Sequence, residues 1–279
     1  MNILFCINKN CIFPTKILIS SLEDTQKETL NIYIAHKELS KADIEDIKFA
    51  IDESKTTITD IQVDTNLFDG FPVSKRFPVE VYFRLFAQKF LPETLDRVLY
   101  LDVDTIVLNS LNELYYSTFN DKYIISMPHE FQNLEVRDRI RLQLPLDAKI
   151  TNSGVLMLNL EVFRKNDLSD IILDFINKNR NILTTFDQDI LNVVFQNYMK
   201  FEDYKLYNLN DIHIDYINKI NKGKGLTISP NIIKGKSVII HYFGDIKPWN
   251  SSYNGMMKPL YKACSDSYWG KYEKIIGRE

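Results

Sequence analysis

The chain has 279 residues, of which 45% are hydrophobic and 12% aromatic, enough to fill a large core and too many for a disordered polymer. Lys+Arg 34 against Asp+Glu 37 leaves a net charge of −3, without the basic field that binding to nucleic acid demands. The cysteines, Cys6, Cys11 and Cys264, form no C-x-x-C pair, which argues against a cysteine-rich zinc site or a disulfide framework and fits a reducing cytosol.

The opening "MNILFCI" is too short for the apolar region of a signal peptide, and Asn2 to Ile7 reads as a strand buried in a parallel sheet. Pro14 then opens the helix "TKILISSLEDT", a place in the first turn that suits proline. "NIYIA" (Asn31 to Ala35) is a second strand. Ser40 caps "KADIEDIKFAID", with Asp43 at the capping-box position and Ile44, Ile47 and Ile51 on one face. "TTITDIQV" follows as a third strand. This β-α-β-α-β alternation predicts an α/β fold, a mostly parallel twisted sheet flanked by helices, with ligands beyond the carboxyl ends of the strands.

"EVYFRLFAQKFL" predicts an amphipathic helix, and "RVLYL" a strand that delivers Asp102 and Asp104 to that edge. Farther on, "YIISM" and "SGVLMLNL" read as strands, and "EVFRKNDLSDIILDFINKN" and "DQDILNVVFQNY" as helices. "SVIIHYF" is a late strand, and the tail from Met256 to Ile276 is helical. No apolar stretch approaches the roughly 20 residues of a membrane helix. No repeat or linker divides the chain, so a single soluble, cytoplasmic domain is expected.

In an extended backbone, Asp102 and Asp104 face the same side and Val103 turns away. Two carboxylates that close repel, unless a cation neutralises them or one holds a proton. A hard divalent ion is the natural partner. The ordinary alternative is a solvated pair, one carboxylate capping the next turn and the other meeting a lysine. A strand ending in D-x-D also opens phosphatases of the haloacid-dehalogenase type, but those carry it after the first strand and need a later acidic pair for magnesium. Here it follows a complete β-α-β-α-β unit, and no such later pair is found.

The late strand runs into "HYFGDIKPW". His241 offers an imidazole to a metal, Gly244 lets backbone approach a phosphate, and Lys247 brings it a positive charge. "NSGVLMLNL" places Asn152 and Gly154 at the mouth of a strand. "FDQDILN" places Asp187, Gln188 and Asp189 at a helix start, where capping explains carboxylates equally well.

Taken in order, "NKNC", "VYFRLFAQKFLP", "LYLDVDTIV", "NSGVLMLNL", "DQDILN" and "HYFGDIKPW" give a chain that resembles the family 8 glycosyltransferases, a retaining group of GT-A fold. The resemblance implies a Rossmann-like nucleotide-diphospho-sugar transferase, with residues 1–108 as the nucleotide-binding half, 109–255 as the donor-sugar and acceptor half, and 256–279 as a helical tail. It implies that Asp102, Asp104 and His241 hold a divalent ion, Mn²⁺ in preference to Mg²⁺ for a mixed oxygen and imidazole shell. Gly244 and Lys247 would grip the diphosphate of a UDP-sugar. Cys6, Asn8 and Asn10 would line the uridine pocket, with Val103 between the two aspartates. Arg84, Asn152, Asp187 and Gln188 would position the donor sugar for transfer. Where the family often has an acidic residue this chain has Asn8, whose amide oxygen still accepts from the uracil N–H. Where the family often has an aromatic it has Cys11, which removes a stacking partner.

The expected activity is transfer of glucose or galactose from a UDP-sugar to a glycan or lipid-linked saccharide, as in lipopolysaccharide or cell-surface glycan synthesis. Alternatives are a non-catalytic nucleotide-sugar-binding module and a glycogenin-like primer that glycosylates one of its own tyrosines. The segment from His129 to Lys149, with Arg137, Arg139 and Arg141, is the expected lid or acceptor loop, a solvated helical face being the competing reading. Membrane contact is expected to be at most peripheral, at the inner face.

Overall fold

The computed structural model describes residues 1–128, 132–224 and 227–277. Strand β1 (Asn2–Cys6) is wholly buried through its centre, as its unbroken apolar run requires. It pairs in parallel with β2 (Leu30–His36), which pairs in parallel with β3 (Thr56–Gln62). The helices Ile12–Thr25 and Lys41–Lys48 make the two crossovers. The second opens on the expected capping box: Ser40 Oγ accepts from Asp43 N at 3.2 Å, and the Asp43 carboxylate accepts from Ser40 N at 2.8 Å. β4 (Arg97–Leu101) joins the other side of β1, also in parallel.

After β4 the chain leaves this sheet. β5 (Thr105–Val107) belongs to a second, three-stranded sheet, while β6 (Ile124–Pro128), β7 (Thr151–Asn159) and β8 (Met199–Phe201) return to the first. The large sheet has the order β3-β2-β1-β4-β7-β6-β8. β7 runs antiparallel to both of its neighbours, the reversed strand in an otherwise parallel sheet. The small sheet is completed by β9 (Leu209–Asn210) and β10 (Ile239–His241), in the order β5-β10-β9. Successive side chains of the large sheet alternate between two cores: Ile3, Phe5, Leu99, Leu101 and Met157 on one face, Leu4, Tyr100 and Leu156 on the other.

Several predicted helices differ in detail. Val79–Lys89 winds as a 3-10 helix with a break at Phe86 (φ −125, ψ 21) instead of an α-helix. Tyr82 through Ala87 are all buried, more than one α-helical stripe can hide, and the local winding yields to packing on several sides. The long helix read from Glu161 to Asn179 is two, Leu160–Lys165 and Ser169–Asn179. Asp167 breaks it by accepting from Ser169 N at 3.0 Å and Ser169 Oγ at 2.6 Å. "DQDILNVVFQNY" is helical over Asp187–Val194 and ends in a 3-10 turn. The tail is helical over Lys258–Ile276. Among the described residues, no helix is long and apolar enough to cross a membrane.

The small sheet is tied to the first crossover helix by a buried serine. Ser21 Oγ accepts from Val107 N at 3.1 Å and donates to Leu18 O at 2.7 Å. Ser21→Ala strands a buried backbone N–H, so urea unfolding should show a loss of about 1–3 kcal/mol. An unchanged urea midpoint would discard this account of how the two sheets are joined.

Candidate functional site

Beyond Leu101 the backbone does not stay extended. Thr105 N and Oγ1 both donate to Asp102 O, at 3.2 and 2.7 Å, closing a tight turn over the D-x-D. Val103 therefore is not turned away but lines the cleft. The two carboxylates converge for a tertiary reason instead. β5 pairs antiparallel with β10, so that His241 stands opposite Thr105 and Tyr242 N donates to Asp104 O at 2.9 Å. His241 Nε2 lies 3.1 Å from Asp104 Oδ1 and 3.8 Å from Asp102 Oδ2. One ligand atom from each of the three lies within 4.8 Å of the others. Two carboxylate oxygens and an imidazole nitrogen form a donor set suited to a divalent cation.

Protein cations also meet this pair. The buried guanidinium of Arg84 lies 4.2 Å from the Tyr100 ring centroid, 3.1 Å from Asp102 Oδ1 and 3.4 Å from Asp187 Oδ2. Burial acts to lower its pKa, but Asp102, Tyr100 and Asp187 outweigh this and raise it above its ordinary value. Lys247 Nζ lies 2.6 Å from Asp104 Oδ2 and donates to Tyr242 O at 2.9 Å. For Asp104, burial favours the neutral acid, yet His241 and Lys247 hold its carboxyl well below the usual carboxylate range. Asp187 goes the other way: burial raises it to about 6 despite Arg84. Its Oδ2 is buried without a hydrogen bond among the described residues.

Asp187 and Gln188 are aimed by a strained residue. Phe186, at the head of helix Asp187–Val194, has φ 45 and ψ −98, a conformation that costs a side-chain-bearing residue on the order of 1–3 kcal/mol. It is held against Phe77 at 5.6 Å between ring centroids. Asn152 Nδ2 donates to Gln188 Oε1 at 3.0 Å, which joins the start of β7 to this helix. β7 begins beside Asp102 because it runs against β4: Leu101 pairs with Val155, and Asp102 N donates to Gly154 O at 2.7 Å. Gly154 leaves no room for a side chain, since a Cβ there would lie 2.2 Å from His241 Cε1 and 2.7 Å from Asp102 Oδ2.

These groups floor a cleft of about 570 Å³. Cys6, Asn8, Asn10, Arg84, Gly244 and Lys247 line it. Asn8 Oδ1 already accepts from Asn10 N at 2.9 Å and caps the short 3-10 turn Lys9–Cys11. Burial pushes the Cys11 thiol up to about 11 and Cys6 higher still, so both are neutral thiols. The basic cluster divides. Arg137 is exposed at the rim, whereas Arg139 bonds Glu135 and Ala148 O, and Arg141 grips Asp189 at 2.7 and 2.8 Å. A wholly solvated face is thus wrong for two of the three arginines. The first part of the expected lid, residues 129–131, lies outside the described residues.

Sequence reading overlooked Tyr100 and Asn208. Tyr100 OH donates to Asp102 Oδ1, and the period-two rule applied backward from Asp102 into the strand would have found it. Asn208 Oδ1 meets His241 Nδ1 at 2.9 Å across 33 residues of sequence, with no local signal.

The sequence model of the family described as "Glycosyl transferase family 8" matches residues 2–252. The chain belongs to the family 8 glycosyltransferases. A lipopolysaccharide 1,2-glucosyltransferase of Escherichia coli is 28% identical over 253 residues, covering 89% of this chain and 73% of the relative. A lipopolysaccharide 1,3-galactosyltransferase of Salmonella typhimurium is 25% identical, covering 90% and 73%. The fold matches that of the galactosyltransferase LgtC, solved with donor and acceptor sugar analogues, at a TM-score of 0.82 and 20% identity over 97% of this chain and 100% of that one. It also matches the glycosyltransferase GlyE of Streptococcus pneumoniae, at a TM-score of 0.69 and 20% identity over 99% and 63%.

Two outcomes follow for this family 8 enzyme. If the cluster holds a divalent cation, Gly154→Ala should weaken that binding, read by calorimetry, at least about tenfold, because the methyl group displaces two of the three candidate ligands. Unaltered affinity would show that the cluster tolerates the overlap. Asp187 has a folded pKa above its unfolded value, so its contribution to stability is greatest in acid and is lost as pH rises through about 6. Relative to wild type, Asp187→Asn should gain stability as pH rises from about 4 to about 6, by a few kcal/mol, and then level off. A flat difference in denaturant midpoints over that range would refute the raised value.

Proposed function

We propose that this chain transfers glucose or galactose from a UDP-sugar to a saccharide or glycolipid acceptor, with retention at the anomeric carbon and dependence on a divalent cation. The observation that carries the proposal is the meeting of Asp102, Asp104 and His241 on the floor of a cleft that Asn152, Asp187 and Gln188 also line. The relatives named as lipopolysaccharide glucosyl- and galactosyltransferases support a hexose donor and a cell-surface glycan acceptor. The cation, manganese or in its place magnesium, supplies positive charge to the leaving diphosphate when bound.

The side chains divide the remaining work. Lys247 and Gly244 bind the diphosphate, and Lys247 already reaches Asp104 from the cleft wall. Cys6, Asn8, Asn10 and Val103 line the nucleoside end. Arg84 holds Asp102 and Asp187 in place from beneath, Asp187 takes the sugar hydroxyls, and Asn152 and Gln188 face the reacting carbon. With an amide at that face, departure of UDP and attack by the acceptor on the same side fit better than a double displacement through a carboxylate. The enzyme works on the cytoplasmic side, touching the inner face of the membrane at most peripherally.

A panel of UDP-sugars with and without Mn²⁺ tests the reading. UDP release should need the cation, and Asp102→Asn or Asp104→Asn should reduce it on the order of 100-fold or more. Turnover and cation-dependent UDP binding that survive both substitutions would overturn it.

A further inference from the structure

The backbone N–H of Gly154 can only donate, and it donates to Asn152 Oδ1 at 2.9 Å. From that fixed point a chain of amides runs both ways. Asn152 must turn its Nδ2 outward, to Gln188 Oε1 at 3.0 Å, and Ser153 N approaches the same oxygen at 3.4 Å. Among the described residues no acceptor meets Gln188 Nε2, so the amide presents its donor end to the cleft it lines. In the other direction Asn208 Nδ2 donates to Asn152 Oδ1 at 3.2 Å, which leaves Asn208 Oδ1 facing His241 Nδ1 at 2.9 Å. An amide oxygen only accepts, so the neutral imidazole carries its proton on Nδ1 and turns the Nε2 lone pair toward Asp104 and Asp102.

We propose that Asn208 is a positioning residue that serves both ends of the site. It fixes the tautomer of His241 at the metal-binding end, and as a second donor to the Asn152 oxygen that Gly154 N–H already orients it reinforces the direction of Gln188 at the reacting end. It sits at the back of the cleft lining, reaches the sugar-facing groups only through Asn152 and is 6% exposed, so the amide network holds its geometry against competing water. The tautomer rests on geometry alone; the consequence for transfer rests on the function proposed above.

The test uses the intact chain, selectively ¹⁵N-labelled at histidine and free of metal. At alkaline pH, two-bond ¹H–¹⁵N spectra distinguish the tautomers, and His241→Asn assigns the resonance among the four histidines. Wild type should show His241 protonated at Nδ1. Asn208→Asp keeps an acceptor for that proton and should keep the tautomer and Mn²⁺ affinity within about threefold, while losing the donor to Asn152. Its kcat should fall more than its KM for the UDP-sugar. Asn208→Ala removes both contacts, so the tautomers should mix and Mn²⁺ affinity should fall 10- to 100-fold, about the usual effect of losing such a contact to a metal ligand. An Nε2-protonated His241 in wild type overturns the proposal, and that measurement does not depend on any Asn208 variant folding. So does an Asn208→Ala protein whose tautomer and Mn²⁺ affinity match wild type. If the tautomer and affinities behave as expected but no UDP-sugar is turned over, the assignment at His241 stands and the glycosyl-transfer reading is what fails.

Discussion

The repulsion between Asp102 and Asp104 governs this structure, because positive charge must be brought to the pair. Arg84 brings it from below to Asp102 and Lys247 brings it to Asp104, which the His241 imidazole also meets at 3.1 Å. These groups come from two distant parts of the chain. Arg84 lies on the buried 3-10 segment, while His241 and Lys247 lie on and just after β10. Taking the guanidinium out of water is costly, and the Tyr100 face, Asp102, Asp187 and Ser153 O together compensate it. The segment Val79–Lys89 is wound as tightly as it is around this buried charge and the aromatic side chains beside it.

Two kinds of polar contact surround that centre and behave differently. The amides Asn152, Asn208 and Gln188 are neutral, short in reach and oriented by a backbone N–H, so they fix geometry without adding charge. Arg141 and Asp189 form a two-bond ion pair one turn away, and Asp189 also accepts from Thr184 N and Thr185 N. This clamp anchors the turn that carries the strained Phe186, and hence the direction in which Asp187 and Gln188 leave their helix. The basic segment that sequence alone leaves open between a lid and a solvated face thus does structural work through Arg139 and Arg141, while Arg137 stands exposed at the rim, 3.9 Å from Asp138.

Much of this was legible in the residues. The apolar runs at "NILFC" and "RVLYL" and the Ser40–Asp43 capping box specify their elements locally, through burial and orphan N–H groups, and the structure has them where the pattern puts them. The six motifs likewise marked the lining of the cleft. What local pattern misjudged were segments whose conformation is set by distant partners. Val79–Lys89 has helical periodicity but is buried on several sides. Asp102–Asp104 has a strand behind it but a turn within it, so the two carboxylates meet for a reason other than the alternation of an extended chain.

Composition and periodicity by themselves determined the α/β class and the parallel first half, since these depend on hydrophobic spacing, while Asp102, Asp104 and His241 stood out as a metal-binding set through the motifs that resemble the family. Tertiary structure alone decided that β7 runs backward, which brings its beginning to Asp102, and that β5 leaves the large sheet to meet β10, which brings His241 to Asp104. It alone decided that Asn208 faces His241. Strand direction and sheet membership depend on which apolar strands find each other far along the chain, Leu101 with Val155 and Thr105 with His241, and no short stretch of sequence carries that information.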